Sequence, residues 1–192
     1  VIHSVTKYLG GHNDVIAGAV IGPQDTIKDL WNWRRKIGNI IAPFEAYLVL
    51  RGVKTLKIRV EKCCANAQKI AEFLSGHPKV KGVHYPGLSG DKYHGIAKKL
   101  FKVGFGGVVS FNIKGEQEEV IKMMKQLKVV KPTPSLGGTE SLLSYPVIGA
   151  AGTMPQDERE KLGITADLVR LAVGIENEND LIYDLDRALR SF

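Results

Sequence analysis

The chain has 192 residues, 44% of them hydrophobic, and a formal net charge of +7 at pH 7. That length and apolar fraction can bury a core of one or two units. No uninterrupted apolar run approaches the roughly 20 residues that span a bilayer, so no membrane-spanning helix is expected. The lysines alternate with acids along amphipathic stretches such as Glu116 to Lys125. No aromatic-and-basic cluster suited to stacking on bases accompanies them, so a solvated basic surface is expected and no nucleic-acid partner. Such a surface also attracts an anionic cofactor or substrate. The only cysteines, Cys63 and Cys64, are adjacent, which suits a disulfide poorly. With no Cys or His at ligand spacing beside them, no metal site is expected either. They read as reduced thiols of a cytoplasmic protein. The first residues, Val1-Ile2-His3, include no initiator Met and no signal-peptide pattern, so the chain reads as a piece of something soluble and intracellular.

In chain order, the opening residues look like a strand end and loop. Residues 15–21 alternate small and branched apolar side chains, predicting a buried strand. After Pro23, residues 25–37 have helical spacing and carry Trp31 and Trp33. Residues 43–74 place apolar side chains at three-four spacing, long for one helix, with a break or kink expected at Gly52. Beyond Gly76-His77-Pro78 the pattern becomes short strand–helix units. Strands are expected over 80–85, 107–113, 129–131 and 168–173, and helices over 93–101, 116–127 and 178–189. Alternating strands and helices imply an α/β layer, not a helical bundle. The predicted boundary lies near residue 57, dividing 1–57 from 58–192. No repeat or low-complexity tract is present.

Ser4-Val5-Thr6-Lys7 sets an amine beside two hydroxyls, just ahead of the Gly10-Gly11 turn. An amine among hydroxyls able to hold a phosphate suits covalent attachment of pyridoxal 5'-phosphate. On an extended backbone Ser4 and Thr6 would point to one side and Lys7 to the other. Arg170 lies within the otherwise apolar Leu168-Val169-Arg170-Leu171-Ala172-Val173. A buried guanidinium needs an anion, and its planar fork matches a carboxylate. An internal salt bridge to a buried acid is the alternative. Gly137 and Gly138 permit close approach of the loop that Ser135 opens. His12 and Asp14 are read as stabilising the tight glycine turn, in preference to an acid/base pair, and Glu140 and Ser141 as fixing their loop.

The stretch Ser4 to Asp14 resembles the lysine segment of the Cys/Met-metabolism pyridoxal-phosphate enzymes. The likeness continues through Leu50 to Leu56, His84 to Leu88, Gly106 to Phe111, Ser135 to Leu142 and Leu168 to Glu176. It implies fold type I, the aspartate-aminotransferase-like fold, with residues 1–57 ending the large cofactor domain and 58–192 forming a small α/β domain. It further implies that Lys7 is catalytic and holds the cofactor, that Ser4 and Thr6 bind its phosphate, and that Ser135 and Arg170 hold the substrate carboxylate. The implied activity is γ-replacement or γ-elimination in transsulfuration on small amino-acid substrates. Gly11-His12-Asn13-Asp14 and Pro134-Ser135 look like cystathionine γ-synthase; methionine γ-lyase, cystathionine γ-lyase and O-acylhomoserine sulfhydrylase are the alternatives. Pro134 stands where many family members place an acid for the distal amine of the substrate. The family's cofactor domain begins well before the lysine, so an N-terminal half of the same enzyme is an expected partner, within a homotetramer built as a dimer of dimers. A non-catalytic assembly or regulatory fragment is the reading of another class.

Overall fold

The computed structural model describes all of residues 1–192. Strand β1 (Ile2–Ser4) pairs antiparallel with β2 (Gly18–Val20), with Ile2 opposite Val20. Between them the chain makes a tight helical turn, Val5–Leu9. Helices α1 (Gln24–Ile37), α2 (Pro43–Val53) and α3 (Leu56–Gly76) follow. Then come β3 (Val80–His84), α4 (His94–Leu100), β4 (Val108–Ile113) and α5 (Gln117–Gln126). Strands β5 (Lys131–Pro132) and β6 (Leu142–Ser144), α6 (Gln156–Lys161), β7 (Leu168–Ala172) and α7 (Glu178–Leu189) complete the chain.

The main sheet has five strands in the order β3-β4-β7-β6-β5. All its pairs are antiparallel except β5 with β6. One face is apolar: Val109, Phe111 and Ile113 of β4 and Val169 and Leu171 of β7 are fully buried. Against it lie Ala67, Ile70, Ala71 and Leu74 of α3, Val120 and Met123 of α5, and Leu181, Leu185, Ala188 and Leu189 of α7, in one core cluster. Strand alternation sends the intervening residues, among them Ser110 and Arg170, to the half-exposed face. This is the α/β fold expected, with the sheet antiparallel where strand–helix alternation alone favours parallel pairing.

Two local expectations are corrected, and two elements are added. Residues 15–21 are not a buried strand; only Gly18–Val20 pairs, and Ile16 is 91% exposed. The long helical stretch breaks at Lys54-Thr55 and not at Gly52, which is buried where a Cβ would overlap the Gly10 carbonyl oxygen. Strand β6 and helix α6 carry no periodic signal long enough to announce them, and were not expected. Helix α1 buries no residue, and Trp31, Trp33, Phe44, Tyr47 and Leu50 are more than half exposed. No helix is long and apolar enough to cross a membrane.

The buried carboxylate of Asp184 and the half-buried one of Glu176 fix loops next to the sheet strands. Asp184 accepts the backbone N–H groups of Lys128, Val129 and Val130 at 2.9 to 3.1 Å and pairs with Arg187 at 2.7 Å. Burial opposes its charge, but those bonds hold the carboxyl below its ordinary value. Glu176 accepts the Ser141 N–H at 2.6 Å and its hydroxyl at 2.9 Å. The Ser141 hydroxyl in turn accepts the Gly174 N–H at 2.9 Å. Asn66 of α3 donates to the carbonyls of Gly174 and Glu176, tying both loops to the helix.

Candidate active site

Lys7 occupies the tight turn after β1 with φ −90° and ψ −129°, outside the helical region of its neighbours. The turn closes through Gly10 N–H to the Val5 carbonyl, 2.7 Å, and Gly11 N–H to the Lys7 carbonyl, 2.8 Å. Because the chain leaves extended geometry after Ser4, the strand-alternation argument for Ser4 and Thr6 does not hold. Ser4 is exposed at the end of β1. The Thr6 hydroxyl accepts the Ala17 N–H at 3.0 Å and donates to the Ala17 carbonyl at 3.3 Å. To bind a phosphate it would turn its single proton away from Ala17.

The Lys7 amine donates to Ser135 Oγ at 3.1 Å, across 128 residues of sequence. Ser135 has φ 115°, a left-handed conformation that costs a non-glycine residue about 1–3 kcal/mol. Its carbonyl accepts Arg170 Nη2 at 3.1 Å. Lys7, Ser135 and Arg170, widely separated in the chain, therefore meet at one point. Arg170 lies in register between Ser110 of β4 and Ser144 of β6, with His84 of β3 next beyond Ser110. This is a polar row across four strands. No carboxylate pairs with Arg170 among the ion pairs of the structure, so the internal salt bridge is not what holds it. Its Nε is buried and lacks any partner.

The loop opened by Ser135 packs directly on the lysine turn. Gly137, at φ +81°, lies so close that a Cβ there would stand 2.7 Å from Tyr8 N and 3.0 Å from the Lys7 carbonyl carbon. Asn13 Nδ2 donates to Glu140 Oε2 at 3.1 Å, and Lys131 lies 3.6 Å from the same carboxylate. Burial raises the Glu140 carboxyl, but bonds from its own backbone, Thr139 and Asn13, with the Lys131 charge, bring it below its ordinary value. His12 Nδ1 sits 2.8 Å from the Gly10 carbonyl, within its own turn. Beside these residues a groove of about 530 Å³ is lined by Thr6, Asp14, Lys131, Pro134, Ser135 and Glu140, among others.

Two residues of this neighbourhood were missed from the sequence. Tyr8 is wedged so that its hydroxyl would meet a Cβ on Gly107, and burial foremost pushes its phenol up to about 12. Arg59 is 4% exposed and donates to the carbonyls of Tyr8 and Gly52, at 3.0 and 2.7 Å. Its sequence signal was present: Arg59 stands one helical turn before Cys63, on the buried stripe that continues through Ala67, Ile70 and Leu74.

Fold and site together define an α/β protein in which a lysine, a serine and an arginine from distant segments meet, and comparison with known proteins gives the class. The family model described as "Cys/Met metabolism PLP-dependent enzyme" matches residues 1–190. The chain belongs to that family, whose cofactor is pyridoxal 5'-phosphate. Among curated relatives, a cystathionine beta-lyase of Coxiella burnetii is 47% identical over 98% of this chain and 49% of its own length. The chloroplastic cystathionine gamma-synthase 1 of Arabidopsis thaliana is 44% identical over 100% of this chain and 34% of its own. An L-methionine gamma-lyase of Fusobacterium nucleatum subsp. polymorphum is 45% identical over 98% of this chain. A crystal structure of cystathionine gamma synthase from Xanthomonas oryzae pv. oryzae, in complex with aminoacrylate and cysteine, superposes with a TM-score of 0.94 at 38% identity. It is covered over 49% of its length and covers 100% of this chain. The chain thus spans about half the length of most relatives it matches. The β-lyase is an activity the sequence reading had not named.

The residues present fit the family's cofactor. The Lys7 amine bonds only to a neutral hydroxyl. Arg170 carries an unsatisfied donor with no competing acid. The Ser4 hydroxyl stands exposed at a strand end.

Proposed function

We propose that these residues form the lysine-bearing, C-terminal part of a pyridoxal-phosphate enzyme of sulfur amino-acid metabolism, acting by γ-replacement or γ-elimination. The observation that carries this reading is the junction of the Lys7 amine, Ser135 and Arg170. Each side of it is a 3.1 Å hydrogen bond. When bound, the cofactor would supply an electron sink conjugated to the substrate Cα. Lys7 holds it covalently at rest and afterwards moves protons between the substrate Cα and Cβ. Arg170 grips the substrate α-carboxylate, using the Nε donor that the fold leaves unpaired. Ser135 orients that carboxylate and the lysine together. Ser4 and Thr6 hold the cofactor phosphate. Residues 1–57 are assigned to the large domain and 58–192 to the small one, a division within a few residues of the α2–α3 junction.

Within the family we favour cystathionine γ-synthase, joining a homoserine ester to cysteine. The groove beside Ser135 supports this: Pro134 lines it where an acid would grip a distal amine. The second reading, a lyase, is favoured by the likeness to the Coxiella burnetii β-lyase. The exposed apolar side chains of α1 and α2, and the half-length match to relatives, support a partner in the remaining half of the same enzyme. A homotetramer and a cytoplasmic location complete the proposal.

The test uses the complete holoprotein. Borohydride reduction and peptide mapping are expected to place the cofactor on Lys7, and an unmodified Lys7 overturns the assignment. O-succinyl- or O-phosphohomoserine with cysteine should yield cystathionine. Release of methanethiol from methionine, or of homocysteine from cystathionine, as the main activity would replace synthase by lyase. Lys7→Ala should abolish visible absorption and turnover together; a wild-type protein with neither, whose assembly survives Lys7→Ala unchanged, would favour the assembly role.

A further inference from the structure

Arg59 is an arginine in the interior without an acid. Its side chain is buried on α3, and no ion pair includes it. All three guanidinium nitrogens are nevertheless satisfied: Nε by Thr55 Oγ1 at 3.0 Å, Nη1 by the Tyr8 carbonyl at 3.0 Å and Nη2 by the Gly52 carbonyl at 2.7 Å. Burial lowers its pKa, yet a guanidinium keeps its charge at any working pH. A buried cation on two neutral carbonyls and a hydroxyl is a costly arrangement for simply joining two helices, which apolar side chains do as well.

The position of those carbonyls gives the reason. Tyr8 immediately follows Lys7, so its carbonyl stands one peptide beyond the lysine, and Gly137 of the loop that carries Ser135 lies close against the intervening Lys7–Tyr8 peptide. Gly11, two positions beyond Leu9, leaves room for the guanidinium: at φ +73° it has no side chain, and a Cβ there would overlap Arg59 Nη1. The Gly52 carbonyl belongs to the last turn of α2, and Thr55 caps the break before α3. One guanidinium thus ties the lysine turn to the α2–α3 junction. The planar, fixed fork of arginine spreads its donors over three nitrogens and so spans three separated acceptors, whereas lysine offers its donors from one nitrogen.

We infer that Arg59 is a positioning residue for Lys7: it fixes the Tyr8–Leu9 peptide, one beyond the lysine's own, and so sets where the amine lies relative to Ser135 and Arg170. The inference rests on Lys7 as the cofactor lysine. It concerns no contact of Arg59 with substrate or cofactor.

Arg59→Lys in the complete holoprotein tests it, with Gly11→Ala as the second variant, since its Cβ displaces the guanidinium without removing it. A charge-assisted hydrogen bond is lost in both, so cofactor retention on dialysis should weaken roughly 10- to 100-fold. The pH midpoint of the visible absorption should move, because the amine no longer lies where the fold set it. kcat should fall by a similar factor, up to roughly 100-fold for a displacement near 1 Å. KM for the amino acid, held by Arg170, should change about twofold or less. Asp184→Asn, remote from the lysine turn, is the control for plain destabilisation. It should lower the melting temperature while leaving the absorption midpoint in place. Wild-type cofactor retention and midpoint in both Arg59→Lys and Gly11→Ala would overturn the inference, as would an equal midpoint shift in Asp184→Asn. Mapping wild-type cofactor to a residue other than Lys7 overturns instead the reading beneath it, so the two failures are distinct.

Discussion

Replacing Gly137 by alanine should damage stability and turnover together, because the new methyl strikes the backbone of the lysine turn. Two costs add. At φ +81° an L residue sits in the left-handed region, at about 1–2 kcal/mol. The Cβ would also stand 2.7 Å from Tyr8 N, where ordinary contact begins at 3.4 Å, so the turn must retreat by 0.7 Å. Tyr8 is already held through its carbonyl by Arg59 at 3.0 Å, and overpacking of this kind costs about 1–3 kcal/mol. The expected destabilisation is therefore about 2–5 kcal/mol, read as a lower urea midpoint at unchanged slope. Displacing Lys7 by more than half an ångström relative to Ser135 should lower kcat/KM by roughly 10- to 100-fold. A variant within about 1 kcal/mol of wild type and within twofold in turnover would show that the Ser135 loop and the lysine turn are not rigidly packed.

Further expectations concern single groups. Asp184→Ala leaves three N–H groups, one buried and two part-buried, without an acceptor and Arg187 without its partner and should cost about 3–5 kcal/mol; chemical denaturation of the complete protein measures it, and a loss under 1 kcal/mol refutes the account. Hydrogen bonds from Lys62 and Lys69 hold the Glu178 carboxyl down, from its ordinary 4.5 to about 2. Since the folded value is the lower one, this contribution is present above pH 4.5 and fades as pH falls from there toward 2; Glu178→Gln should flatten that part of the stability–pH curve, and an unchanged curve counts against it. Tyr8 runs the other way: burial raises its phenol from 10.0 to about 12, so its contribution is intact below pH 10 and is lost as pH climbs toward 12. Tyr8→Phe should remove that alkaline sensitivity. Ser135→Ala removes the acceptor of the Lys7 amine but leaves the carbonyl bonded to Arg170, so kcat should fall by roughly tenfold or more while the melting temperature stays within a few degrees. A melting temperature that falls as steeply as kcat would make the serine structural.

How much the sequence alone determined follows from which interactions are local. Apolar periodicity placed α1, α4, α5, α7 and strands β3, β4 and β7 to within a residue or two, since facing the core is a property of spacing along one element. The residues proposed to bear on chemistry, Lys7, Ser135 and Arg170, could be singled out because motif order survives in the chain whatever the fold does with it. Short β6 was not, because three residues carry no measurable period. Nor was the turn at Val5–Leu9, whose conformation is imposed by the Gly137 loop on one side and Arg59 on the other. Only tertiary structure decided that the sheet is largely antiparallel, that Arg170 faces away from the core, and that Lys7 meets a serine 128 residues distant. Those outcomes depend on contacts between segments far apart in the chain, and a buried arginine bonded to carbonyls carries no mark in its own sequence of what it holds.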